Sequence, residues 1–161
     1  MQTRYRRRSW RPRQTRASQT RAALMLLVLA VAGCSVRLIS SYDEITDRSA
    51  TELQRKVERF VRSMESASGT AAGAYANNTA FYDEAKADVS AMRIRATAIP
   101  QNRITLQQIE LLDKNLELLR QLHQRGDSLR AAVATPALDA MNATFAAIIK
   151  LELEKKRGAT K

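Results

Sequence analysis

The sequence is poor in the residues that disulfides, metal centres and β-sheets require. Its 161 residues include one cysteine, one histidine, three prolines and five glycines, and aromatic side chains make up 5% of the chain. A lone cysteine cannot form an intramolecular disulfide or a paired-cysteine metal site. Few prolines, glycines and aromatic residues leave little room for the turns and strands of a sheet. These shortages exclude a disulfide scaffold and favour an all-α fold.

Acidic residues are absent from the first 33 positions, which hold eight arginines. This segment therefore carries most of the formal net charge of +11, since residues 34–161 contain nineteen basic and sixteen acidic side chains, a net of +3. A nucleic-acid-binding domain is expected to carry its basic excess on a folded surface. For this reason no nucleic-acid partner is predicted for the domain that follows.

Residues 1–33 have the layout of a cleaved signal peptide. A basic n-region over 1–21 precedes an apolar h-region over 22–33 whose last residues are small. A helix needs about 20 apolar residues to span a bilayer, and this run has about half that number. The alternative is an uncleaved inner-membrane anchor that leaves the basic arm in the cytoplasm, facing anionic lipid or nucleic acid.

The stretch Val31-Ala32-Gly33-Cys34 resembles the lipobox of bacterial lipoproteins. The resemblance implies that Val31, Ala32 and Gly33 are recognised by a dedicated signal peptidase. It further implies that the thiol of Cys34 takes a diacylglyceryl group and that this residue becomes the mature amino terminus. The new amino group is often acylated too, with a chain such as palmitate, so that membrane lipid holds the protein. The residue after the cysteine is Ser35. A residue other than aspartate at this position resembles the sorting signal for the outer membrane of Gram-negative bacteria. A periplasm-facing outer-membrane location is therefore predicted over the inner membrane.

Residues 34–41 are interpreted as a short lipidated tether, and residues 42–161 as a helical bundle domain. Four amphipathic segments are predicted from apolar residues at helical spacing, over 42–66, 75–99, 105–126 and 135–157. Short turns between such helices favour an antiparallel four-helix bundle. Three long helices are the alternative, if Gly126 does not interrupt the third segment.

Local signals predict where these helices begin and end. Ser41 with Glu44, and Thr105 with Gln108, have the spacing of capping boxes. Pro100 is expected to end the second helix. The last helix is expected to start with a Thr135 cap and Pro136 in its first turn.

Charged pairs four residues apart are expected on the solvent-exposed faces of the helices. One of these pairs is Glu152 with Lys156, near the end of the last helix. No function is assigned to them.

Catalytic residues, metal ligands and cofactors are not predicted, because none of the usual constellations occurs in the sequence. His123 is expected at the edge of the core near a helix end. A small-molecule or haem-binding bundle is the alternative, with His123 and one of Met64, Met92 or Met141 as iron ligands. The sequence lacks the Cys-x-x-Cys-His motif that would attach a haem covalently.

The function predicted from the sequence is that of a membrane-anchored envelope lipoprotein. Its bundle is expected to be a non-enzymatic protein-interaction or structural module. The predicted partners are membrane lipid, through acylated Cys34, and an envelope protein.

Overall fold

The computed structural model describes residues 39–159, which form four helices and no strand. The helices are α1 (Glu44–Ser66), α2 (Thr79–Ala98), α3 (Arg103–Gly126) and α4 (Ala131–Ala159). Two short 3₁₀ turns, Ala71–Gly73 and Tyr75–Asn77, lie between α1 and α2. The predictions of an all-α fold and of four helices are confirmed.

The helices form an antiparallel up-and-down bundle. Each helix packs against its neighbours in sequence, and α1 also packs against α4. The proximal end is the end at which α1 begins, α2 ends, α3 begins and α4 ends; the opposite end is the distal end. The chain enters the described region at the proximal end, since α1 begins only five residues after Ile39.

The core is built from one buried seam on each helix, whose residues mostly lie three or four positions apart. On α3 the seam consists of six buried residues, Thr105, Ile109, Leu112, Leu116, Leu119 and His123. Phe145 of α4 is the largest fully buried side chain of the core. Because each large apolar side chain contributes about 1.5–3 kcal/mol on full burial, these seams hold the bundle together.

The predicted cap of α1 is wrong. Asp43 caps the helix, because its carboxylate accepts a hydrogen bond from the Thr46 backbone N–H at 3.2 Å. Asp43 is a good capping residue and its side chain is also held from a neighbouring helix, so it is selected in place of Ser41. Glu44, expected to close the capping box, is exposed in the first turn.

The predicted cap of α3 is also wrong. The helix begins at Arg103, so Thr105 lies inside the first turn. The Thr105 hydroxyl points into the bundle and donates to Glu152 at 3.1 Å. Burial of that hydroxyl against a carboxylate prevents it from capping the helix.

The ends of α2 and α3 agree with the sequence signals. α2 ends at Ala98, and Ile99 is extended, as expected for a residue before proline. α3 ends at Gly126, followed by Asp127 in the left-handed region at φ 48°. A break at this position separates α3 from α4 and excludes the three-helix alternative.

α2 and α4 do not begin where the sequence predicts. Residues from Tyr75 onward form a 3₁₀ turn before α2 begins at Thr79, because Ala74 is extended at ψ 139°. α4 begins at Ala131, and the Arg130 carbonyl accepts the first bonds from its N–H groups. Pro136 therefore lies in the second turn of α4.

α4 is the most apolar of the four helices. Among residues 39–159 it alone is long and apolar enough to span a membrane by length and composition. The core helix of a bundle meets the same criterion, and α4 contributes Met141, Phe145 and Ile148 to the core.

Candidate functional site

The predicted lipidation and processing residues lie outside the described part of the chain. They are Val31, Ala32, Gly33, Cys34 and Ser35. Their roles stay predictions, and the sites described below all lie within the bundle.

A buried ion pair closes the proximal end of the bundle. The side chains of Lys155 and Glu152 are 2% and 0% exposed, and their charged atoms are 2.5 Å apart. The Lys155 ammonium also donates to the side-chain oxygens of Asn102 and Thr105, each at 2.8 Å. All three N–H donors of the lysine are therefore satisfied without water.

Glu152 connects three helices through its two carboxylate oxygens. One oxygen accepts from Lys155 and Thr105, and the other accepts the backbone N–H of Asp43 at 3.0 Å. No buried side-chain nitrogen or oxygen within residues 39–159 lacks a hydrogen-bond partner. The beginnings of α1 and α3 are thus fastened to the end of α4.

The segment that leads into α1 is fixed by the same network. Ser40 is 6% exposed, and its hydroxyl donates to the Asn102 side-chain oxygen at 2.8 Å. Its backbone N–H donates to the Gln101 carbonyl at 3.2 Å. Asn102 in turn donates to the Ala96 carbonyl at 3.3 Å. The chain is therefore attached to the turn between α2 and α3 three residues before the α1 cap.

Asp43 forms a second ion pair at the proximal end. The Arg95 guanidinium donates two hydrogen bonds to its carboxylate, at 2.5 and 2.6 Å. The Thr46 hydroxyl donates a further bond at 2.6 Å. Hydrogen bonds from Arg95, and then from Thr46, lower the pKa of Asp43 to about 2 although burial acts in the opposite direction. The same pair raises the pKa of Arg95.

His123 is buried at the distal end, deeper than the predicted core edge. It is 0% exposed, and its Nε2 lies 2.9 Å from the Gly73 carbonyl oxygen. Since a carbonyl only accepts, Nε2 carries a proton, and in the neutral ring Nδ1 accepts from the Tyr82 hydroxyl at 2.9 Å. Burial raises the pKa of Tyr82 well above its usual value. Both ring nitrogens are engaged, so an iron ion would have to displace one of these bonds.

Aromatic rings surround this histidine. Phe60 of α1 and Phe81 of α2 stack with centroids 3.5 Å apart, and Tyr82 contacts both rings edge-on. The Tyr75 ring meets the His123 ring edge-on at 5.5 Å. The arrangement packs the distal end with aromatic rings around one satisfied polar group.

An apolar strip runs along the outer side of α3. Ile104, Leu111 and Leu118 recur every seven residues and are 44%, 45% and 46% exposed. Asn115 lies on the same flank of the helix and donates to the Thr144 hydroxyl of α4 at 3.0 Å. The strip therefore borders α4.

The adjoining flank of α4 is apolar and consists mostly of residues with small side chains. Val133, Ala140 and Ala147 also recur every seven residues, and Pro136 and Ala143 are exposed beside them. Asn115 of α3 reaches the Ala140 carbonyl at 3.5 Å, which places this flank next to the α3 strip. We call the two strips together the α3–α4 face. Its α4 side carries no charged residue between Ala140 and Ile149.

The sequence interpretation missed the buried pair because it placed Glu152 on the surface. The seam of α4 continues with strict spacing of four and three through Met141, Phe145, Ile148, Glu152 and Lys155. That spacing alone would have placed both charged residues inside the bundle. The predicted position of Glu152 on a solvent-exposed face is wrong, since its side chain is buried and forms an ion pair with Lys155.

Metal-ligating side chains do not cluster in the part of the chain that the structure describes. No group of three or more His, Cys, Asp or Glu residues there is arranged to hold an ion. Comparison of the chain with models of known families, with curated proteins and with solved structures finds no match.

Proposed function

We propose that the protein is a bacterial envelope lipoprotein, anchored through acylated Cys34 in the outer membrane and facing the periplasm. Its bundle is proposed to be a non-enzymatic module that binds another envelope protein. The lipobox resemblance supports the anchor, and the α3–α4 face supports the interaction.

The attachment of Ser40 supports a position close to the membrane. Six residue steps separate Cys34 from Ser40, and a chain of that length spans at most about 22 Å. Two or more acyl chains anchor a protein stably, whereas one gives reversible binding. A bundle on so short a connection would meet its partner at or near the membrane surface.

The exposed α3–α4 face carries the interaction proposal. Monomeric proteins rarely expose contiguous apolar patches larger than roughly a few hundred Å², and larger ones mark interaction sites. Small side chains such as Ala140 and Ala143 let a helix backbone approach closely, while Leu111 and Leu118 supply apolar anchors beside them. The proposed occupant is an amphipathic helix of another envelope protein, because the exposed apolar side chains of the α3–α4 face suit the apolar stripe of such a helix.

Cross-linking in intact cells tests the interaction. The test variant is Leu111→Glu with Leu118→Glu; both side chains are exposed, so the bundle is expected to remain folded. The matched control is Ala87→Glu with Ala91→Glu, which adds the same charge at exposed positions of α2.

One cross-linked envelope protein is expected with the wild type and the control, and its yield should fall at least about tenfold in the test variant, as loss of two apolar anchors predicts. Equal yields in all three proteins would contradict the proposed face. A cross-linked dimer of the chain as the sole product would contradict the proposed partner.

A further inference from the structure

The corner between α2 and α3, residues 93–103, combines basic charge with exposed apolar side chains. It contains three arginines and no acidic residue. Ile94 is 68% exposed, which makes it the most exposed large apolar side chain within residues 39–159. The turn itself, Ile99-Pro100-Gln101-Asn102, is uncharged.

This corner is the part of the bundle to which the preceding chain is attached. Ser40 donates its backbone N–H to Gln101 and its hydroxyl to Asn102. Ile39, next to it, is 42% exposed. Six residue steps lead from Ser40 back to Cys34, so an acyl group at Cys34 would hold the corner within about 22 Å of its own attachment point.

Two of the three arginines have no ionic partner in the described part of the chain. Arg93 and Arg103 are exposed, and no carboxylate of residues 39–159 pairs with either. Arg95, in contrast, is held by Asp43. A guanidinium binds a phosphate through two parallel hydrogen bonds, so Arg93 and Arg103 suit phosphate groups at a membrane surface.

We propose that residues 93–103, together with Ile39, form a lipid-contact surface for an anionic bilayer. Ile94 and Ile39 enter the interfacial region, and Arg93 and Arg103 bind lipid phosphates. The bundle then stands with its proximal end on the membrane and its distal end away from it. The inference rests on the anchoring through Cys34 proposed above, and its test separates the two.

The lipid class follows from the chemistry of the corner. Apolar side chains flanked by basic residues bind anionic interfaces by combined burial and charge attraction. Each arginine near such a surface strengthens binding about fivefold. Two unpaired arginines should therefore favour the docked orientation about 25-fold on anionic lipid relative to neutral lipid.

The test uses the acylated protein reconstituted into vesicles containing phosphatidylglycerol, beside vesicles of phosphatidylcholine alone. Acylation blocks the thiol of Cys34, the only natural cysteine, so one introduced cysteine can be labelled with an environment-sensitive dye. The dye is placed by Ile94→Cys at the corner, or by Val133→Cys as a control exposed at the distal end.

A quencher attached to lipid chains should quench the dye at position 94 several-fold more than the dye at position 133. The difference should be largest on phosphatidylglycerol, and it should disappear when Arg93→Glu and Arg103→Glu are added. Equal quenching at the two positions, or a difference that survives both substitutions, would overturn the proposed surface.

Flotation of the same vesicles reports the anchor separately. Protein that floats in every variant while quenching at position 94 stays low would refute the corner and leave the anchor intact. Protein of unmodified mass that does not float would refute the anchor, and the corner proposal would fall with it.

Discussion

The buried pair of Glu152 and Lys155 gives the sharpest stability prediction. Lys155→Met leaves the Glu152 carboxylate buried without its counter-ion, which costs about 3–5 kcal/mol. For a domain of this size that loss lowers Tm by roughly 10–20 °C. Glu152→Gln leaves the ammonium among neutral acceptors, and a similar cost is expected.

The double variant separates charge from hydrogen bonding. With Glu152→Gln and Lys155→Met together no charge is buried. The introduced amide oxygen can accept the Asp43 N–H, and the amide NH2 can donate to the Thr105 hydroxyl, which no longer accepts from Lys155. The double variant should therefore lose about 1–3 kcal/mol, less than the sum of the single losses. A coupling free energy of at least about 2 kcal/mol is expected.

Urea unfolding, followed by far-ultraviolet circular dichroism of the detergent-solubilised protein, measures all four free energies. Glu154→Gln is the matched control, because it removes an exposed partner of Arg157 on the same helix and should cost about 0–1 kcal/mol. Single losses near that of the control, or strict additivity in the double variant, would refute the buried-pair interpretation.

Three further predictions use the same unfolding assay. Asp43→Asn keeps a capping side chain but loses the ion pair with Arg95. Because the folded-state pKa of Asp43 is lowered to about 2, its stabilisation of about 2 kcal/mol is present above pH 4 and lost as pH falls toward 2. The free energies of unfolding of wild type and variant should therefore converge near pH 2, and a difference that does not change with pH would contradict this. Gly73→Ala places a methyl group against the Ala67 carbonyl and should cost about 1–3 kcal/mol, whereas Gly126→Ala meets no atom within 4 Å and should be neutral or slightly stabilising; equal effects would contradict the close approach. Tyr82→Phe leaves Nδ1 of buried His123 without a partner and should cost about 1–3 kcal/mol; no loss would mean that water or a ring shift replaces the bond.

The fold was largely predictable because apolar spacing and helix breakers act locally. Pro100 disfavours helical geometry at Ile99, the residue before it, and Gly126 precedes a left-handed residue. Both helix boundaries therefore depend on a few residues near them. The buried seams of α2 and α3 follow from periodicity. In α1 the buried seam includes Thr46 and Ala50, while Ile45 is exposed, so the apolar pattern there is shifted by one residue. These signals need no knowledge of the partner helix.

The caps were less predictable because several residues near each helix start can cap it. Ser41 and Asp43 both suit the role, and the choice depends on Arg95, which is 52 residues away in sequence. Thr105 has the side chain of a cap, but Glu152 and Lys155 take it into the core. Long-range partners of this kind are invisible to a local pattern.

The candidate sites likewise differ in how much of each is visible in the local sequence. The lipidation of Cys34 was inferred from its four-residue context and stays a prediction. The polar network could not be predicted, because it depends on four segments that meet at one end of the bundle. The α3–α4 face was partly visible, since Leu111 and Leu118 widen the apolar side of α3 in the sequence. Their exposure becomes apparent only once α4 is placed beside them.

The intact mass of the protein extracted from bacterial membranes tests the central claim most directly. The expected mass is that of residues 34–161 plus acyl chains, and this species should be lost in a Cys34→Ala variant. An unmodified chain that retains residues 1–33 would contradict the lipoprotein proposal and favour the uncleaved anchor with its basic arm.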